Sequence, residues 1–173
     1  MTAPLQHSTT EAAANVSLRR AAEADIPALV EMVNAAYRKT EGHVFPGTTR
    51  TERVGLSKIL PEITVGESAG RLVACVHITT TPPDGHFGLL AVDVALHGSG
   101  LGSLLISHAE TLARAAGCTT MRIEAVKEGG QVSYYERRGY GVTAEHIGQE
   151  WNGGEDWGAA IEWHMVELKK ALS

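Results

Sequence analysis

The chain has 173 residues, 43% hydrophobic and 20% charged, which is the length of one domain and the composition of a soluble globular protein, not of a disordered or membrane-spanning chain. Fifteen basic against twenty acidic side chains leave a formal charge of -5, without the basic footprint that a nucleic-acid partner requires. The amino terminus lacks the basic start and greasy centre of a secretory signal, and no apolar run nears the roughly 18 residues of a spanning helix, so a cytoplasmic protein with no membrane partner is expected.

Residues 1–14, rich in Thr, Ala and Ser without periodicity, read as a mobile tail, and 15–173 as a single domain. A short first strand is read over 16–20. Asp25 is placed as an N-cap ahead of Pro27, and Ile26, Leu29, Val30, Val33 and Tyr37 form one apolar stripe on a helix ending near Arg38. Residues 40–51 read as loop and 52–60 as a short helix stopped by Pro61. Segments 63–66 and 71–79 around the turn residues 68–70 predict a hairpin, and Pro82, Pro83, Asp84 and Gly85 a second turn into a central strand over 86–94. Leu101, Leu104, Leu105, His108 and Leu112 mark an amphipathic helix capped by Gly117. A strand over 119–126 follows, then a short helix over 131–138 ended by a left-handed Gly139, a Trp-bearing loop around 151–157, and a last strand over 160–168. Cys75 and Cys118 fall in buried strand positions and read as core thiols, not a disulfide. With no repeat or linker between these pieces, the reading is one mixed domain of helices on a sheet.

The informative stretch is LLAVDVALHGSGLGSLL, 89–105, where a strand feeds through a short turn into a helix with Gly98, Gly100 and Gly102 between them. Without Cβ atoms, successive N–H groups can converge on one anion, with the positive end of the helix behind it. The alternative is a tight turn whose glycines only supply unusual dihedrals. Two phosphate motifs fail on spacing: a dinucleotide fingerprint needs glycine where Ser103 stands, and a Walker loop needs a lysine, absent between Asp93 and Arg114.

These residues resemble the GNAT superfamily of acetyl-CoA-dependent N-acetyltransferases. Leu90, Ala91 and Val92 match its central strand, and His97, Gly98, Ser99, Gly100, Leu101, Gly102 and Ser103 occupy its diphosphate turn, with His97 standing where the family usually has Arg or Gln. Downstream, 134–140 is similar to the family's Tyr-x-x-x-Gly-Phe segment, with Tyr135 as the matching tyrosine and Glu128 and Gln131 where an Asn and a small residue are usual. The opening Leu18, Arg19, Arg20, Ala21 and Asp25 is also similar, so the likeness spans about 16–168. It implies a mixed α+β fold whose mostly antiparallel sheet, flanked by helices, splays between strands 86–94 and 119–126. Acetyl-CoA would lie along Leu90, Ala91 and Val92, with its pantetheine amides on free backbone groups there, its diphosphate over Gly98 to Ser103, and Tyr135 beside it. The Val92 N–H would stabilise the oxyanion.

Acetyl transfer to an amine needs a base, because an amine of pKa near 10 is almost wholly protonated at neutral pH. His86, six residues before Val92, shares its face under strict strand alternation, though a bulge would change that. Arylalkylamine N-acetyltransferases, within the superfamily, carry a histidine of this type there. An exposed histidine beside a turn is the alternative reading, and Glu124 and Glu67 are the other base candidates. Tyr135 is the candidate acid for the leaving thiolate, and Tyr134 is read as core. The remaining histidines have no ligand spacing, so no metal is expected. Trp151, Trp157 and Trp163 line an acceptor pocket or pack an edge strand. The expected function is N-acetylation of a small primary amine, with a peptide or protein amine second and a non-catalytic acyl-CoA sensor as the alternative; a homodimer stays open. The superfamily's acceptor surface would fall at about 34–60 and 145–160.

Overall fold

The computed structural model describes residues 15–47, 50–51 and 53–173; the tail expected over 1–14 lies outside the described residues. Seven strands form one sheet in the order β1 (Ser17–Arg20), β2 (Ile63–Ser68), β3 (Arg71–Thr81), β4 (Asp84–Val92), β5 (Thr120–Val126), β7 (His164–Ala171), β6 (Gly141–Ile147). Every neighbouring pair is antiparallel except β4 with β5, which run parallel. The helices are α1 (Ile26–Glu41), α2 (Arg53–Ile59), α3 (Leu101–Ala115), α4 (Val132–Glu136) and α5 (Gly148–Trp151). None of the described helices is long and apolar enough to cross a membrane.

β3 is buried on both faces, so it reads as a continuous apolar run and its alternation feeds two cores. Ala74, Val76 and Ile78 join Leu105, Ile106 and Ala109 of α3 on one face; Cys75 joins Leu29 and Val33 of α1 on the other. Cys75 and Cys118 are free and buried, and burial pushes the Cys75 thiol up to about 12.

The sheet departs from strict alternation in β4. Cys75 faces Ala91 but His77 faces Gly88, so one extra residue is inserted in β4, and Leu89 takes φ 49° there. Phe87, Leu90 and Val92 consequently pack with the α3 core, and Leu89 and Ala91 with the α1 core. His86, next to Phe87, faces the α1 side, so the expectation that His86 and Val92 share a face is overturned by the bulge.

Element ends differ from the sequence reading in physically plain ways. α1 continues through Glu41, three residues beyond the expected stop, and Asp25 stands ahead of it without capping it. The Asp25 carboxylate instead accepts from the Ala22 N–H (2.8 Å) and from both ends of the Arg19 guanidinium (2.7 and 2.9 Å). Arg19 also grips Glu67 at 2.8 Å, which holds that base candidate at the β1–β2 edge, outside the cleft described below. The last strand begins at His164 instead of 160 and runs to Ala171. β6 was not read at all: it is an edge strand with no apolar alternation, its Val142 and Ile147 being exposed. Gly117 and Gly139 take the left-handed conformations expected of caps.

Candidate active site

β4 and β5 pair only through Asp84–Thr120, Gly85–Met121 and His86–Arg122, and then part. The gap opens a cleft of about 1370 Å³. The Asp93 N–H donates to Val73 O (2.8 Å), so by antiparallel alternation the Val92 main-chain groups point away from β3 and into the gap. The His97 ring N–H donates to the Val92 carbonyl at 2.9 Å. That bond engages one lone pair of the carbonyl, and the Val92 N–H faces the gap.

In the turn that follows, Gly98 and Gly100 take φ 81° and 87°, and a Cβ built on either would meet nothing within 4 Å. Ser99 is buried between them, and its Oγ has no hydrogen-bond partner. An orphaned buried hydroxyl is costly unless something binds it, so this turn fits an anion such as the expected diphosphate. Leu101 is buried core beneath the turn.

Sequence reasoning missed Arg138. Its Nε and Nη2 donate to Ser103 Oγ (3.1 and 2.6 Å), its Nη1 donates to Tyr134 O (2.8 Å), and its guanidinium lies 3.5 Å from the Tyr134 ring centroid. Both acceptor sites of Ser103 Oγ are thereby occupied, leaving its O–H to donate into the cleft. The Tyr134 hydroxyl sits against Gly102 where any Cβ would collide with it, so Tyr134 is a wall of the cleft as well as a flank of the core. In the sequence, the second Arg of Tyr-Glu-Arg-Arg-Gly-Tyr carries no signal that separates it from surface charge.

Where the strands part, His86 Nε2 meets Glu124 Oε2 at 2.5 Å. Burial works to raise the Glu124 carboxyl, but the bond and charge of His86, with Arg122 nearby, outweigh it and hold the carboxyl below its ordinary value. The two base candidates are therefore one unit. Tyr135, on α4, packs against Phe87 (ring centroids 6.1 Å) and Tyr140 (6.3 Å). Burial pushes its phenol far up, so the hydroxyl stays protonated.

The rest of the cleft is lined by Tyr37, Glu41, Phe45, Trp151 and Trp157. Trp163 is buried behind them, with Phe45 edge-on to it (5.1 Å) and Trp157 stacked on it (5.2 Å, 16°). Burial raises both the Tyr37 phenol and the Glu41 carboxyl, the latter despite the charges of Arg50 and His43. Among the described residues no three His, Cys, Asp or Glu side chains are grouped to hold a metal ion.

Residues 61–142 match the family model described as "Acetyltransferase (GNAT) domain". That stretch, somewhat under half of the chain, is similar to GNAT acetyltransferase domains. No match is found among curated proteins. Solved structures sharing the fold include N-acetylglutamate synthase from Neisseria gonorrhoeae, complexed with coenzyme A and N-acetyl-glutamate, at 20% identity and TM-score 0.68 over 91% of this chain. This chain spans only 35% of that one. Ard1 from Thermoplasma volcanium is 16% identical, TM-score 0.71, covering 92% of this chain and 99% of its own. The Salmonella typhimurium protein yncA, solved with acetyl-CoA, is 18% identical, TM-score 0.66, covering 92% and 95%.

Four positions depart from the family pattern set out above, three of them for a visible reason. His97, in place of Arg or Gln, turns back to the Val92 carbonyl. Glu128, in place of Asn, accepts from the His164 N–H (2.8 Å) and meets His164 Nδ1 (2.7 Å), so it ties the start of β7 to the end of β5 and is not one of the residues lining the cleft. Tyr140, in place of Phe, donates its hydroxyl to buried Glu110 (2.8 Å), which also takes Lys170 Nζ (2.9 Å). Gln131 lines the cleft.

Proposed function

We propose that the protein transfers the acetyl group of acetyl-CoA to a primary amine by direct attack in a ternary complex, His86 acting as base and Tyr135 as acid. The observation that carries this reading is the parting of β4 from β5 immediately after His86, with the His86–Glu124 pair at its head. When bound, acetyl-CoA supplies a thioester carbonyl activated for attack. Ser99 Oγ, Ser103 Oγ, Arg138 and the N–H groups of the glycine turn would hold its diphosphate. Leu90, Ala91 and Val92 would line the pantetheine path, and the Val92 N–H would receive the charge that develops on the carbonyl oxygen. Leu101, being buried, acts by seating the turn.

With Glu124 ionised, the Nε2–H of His86 donates to it, leaving Nδ1 as the basic nitrogen. His86 removes the ammonium proton; the freed nitrogen forms the new C–N bond as the C–S bond breaks, and Tyr135 passes its phenolic proton to the sulfur. The new amide nitrogen gives its remaining excess proton to solvent, Tyr135 recovers one, and His86 releases its own, so one proton leaves per turnover. A small-molecule amine is the proposed acceptor class, and the two free buried thiols suit the reducing cytoplasm proposed as its setting.

The test is release of free CoA from acetyl-CoA across a panel of primary amines at several pH values. Amine-dependent release supports the reading. Tight acetyl-CoA binding with no release over the whole panel would replace it with an acyl-CoA sensor.

A further inference from the structure

We infer that the acceptor is an aromatic monoamine, its ammonium carried two or three bonds from a flat apolar ring that lodges against Phe45 and Trp157. This rests on the acetyltransferase reading above and names the substrate class for that same cleft. The argument begins from strand register. Glu124 faces Glu167 across β5 and β7, and the next same-face pair along is Val126 with Met165. Two residues of strand span roughly 7 Å, so an apolar floor starts roughly 7 Å from the His86–Glu124 pair. Val126 and Met165 pack in one cluster with Val44 and Trp163, flanked by Phe45 and Trp157.

The walls of this compartment are flat. Trp157 lies stacked on buried Trp163 with Phe45 inclined to it at 6.2 Å, and among the described residues no ring covers the other face of Trp157. Its loop is tied down at both ends. The Gly148 N–H donates to Trp163 O (2.8 Å), and the Ala160 N–H donates to Val44 O (2.8 Å), joining the loop to the end of α1. A planar apolar group gains most from such a slot, by area removed from water and by ring stacking.

A second cation is poorly served. Glu167 is engaged by His146 (2.7 Å) and Arg122 (3.5 Å), and Glu128 by His164. Glu41 has Arg50 and His43 beside it, and Asp156 accepts from the Gly158 N–H at 2.7 Å. At the point of chemistry the His86–Glu124 pair takes the proton of one ammonium, and the floor that follows it is Val126 and Met165, so the body lodged there should be uncharged.

The experiment compares phenethylamine, n-butylamine and putrescine as acceptors for the full chain with acetyl-CoA, in the wild type and in Trp157→Ala and Phe45→Leu. Phenethylamine should exceed both others in kcat/KM by tenfold or more. Each variant should raise its KM by tenfold or more, with smaller changes in kcat and with unchanged acetyl-CoA KM. Phenethylamine binding to the CoA-saturated protein, followed by quenching of indole fluorescence, reads the compartment without turnover. Putrescine or butylamine turned over as well as phenethylamine, or both variants leaving phenethylamine KM unchanged, would overturn the aromatic compartment while keeping the transferase. Saturable phenethylamine binding with no acetylation of any amine would do the reverse, and no binding with no turnover would overturn both.

Discussion

The imidazole of His86 and the carboxylate of Glu124 lie 2.5 Å apart although 38 residues separate them, because the last pairing of β4 with β5 sets His86 opposite Arg122. A base held by an ionised carboxylate keeps one tautomer and one orientation. His86→Gln should lower kcat/KM by roughly a hundredfold, the lower range for lost acid–base catalysis, and flatten the acid limb of the pH–rate profile. Glu124→Gln, isosteric but uncharged, should cost about tenfold if it only orients and polarises the ring. Acetyl-CoA affinity, read by calorimetry, should be the same in both. A His86→Gln enzyme with wild-type pH dependence would remove this residue from the chemistry.

How much of this was legible beforehand depends on how local the cause is. The strand–turn–helix at 89–105 could be read because three glycines and one amphipathic stripe lie within it, and the structure has its strand and helix where expected. The side-chain faces could not: one inserted residue at Leu89 reverses the alternation, and nothing in Gly88-Leu89-Leu90 announces it. For the same reason His86 and Glu124 were read as rivals, since their partnership exists only through β4–β5 register. Arg138 was missed because its value comes from Ser103 and Tyr134 being folded against it. Strand β6 was missed because an exposed edge needs no apolar period.

Arg138 brings to Ser103 the cation that position 97 withholds. Arg138→Met should weaken acetyl-CoA binding about tenfold, which is a charge-assisted bond discounted for partial exposure, and should leave kcat within a factor of about three. The loss should shrink as salt rises, because screening already weakens the wild-type contact. Calorimetric titrations at two ionic strengths measure this; an unchanged affinity at low salt would leave Arg138 as a support for Tyr134 alone.

Gly148 sits where a Cβ would run into the indole of buried Trp163. Gly148→Ala must therefore displace either the start of α5 or the ring that backs Phe45 and Trp157. Overpacking of this kind costs about 1 to 3 kcal/mol, and a lowered Tm of several degrees is expected. Acetyl-CoA affinity should persist, because the glycine turn leads into α3, which packs in a different cluster from Trp163. A thermal melt and one CoA titration suffice to check both.

His164 and Glu128 provide a pH-dependent clamp on β7. The bond from Glu128, with Glu145 and Glu162 adding to it, raises the His164 imidazole above its ordinary 6.5. Burial opposes ionisation of Glu128, but His164 wins and holds that carboxyl below 4.5. For the histidine, whose folded value is raised, the stabilisation is complete below about 6.5 and is lost as pH climbs through the raised value. For the carboxylate, whose folded value is depressed, it is complete above about 4.5 and is lost as pH falls through the lowered one. The clamp is thus fully engaged between those two ordinary values and releases on the alkaline side first in the physiological direction. His164→Gln should lower Tm most at pH 5 to 6.5, and the gap between mutant and wild type should narrow toward pH 8. A gap that stays constant across that range would mean that His164 acts by shape and not by charge.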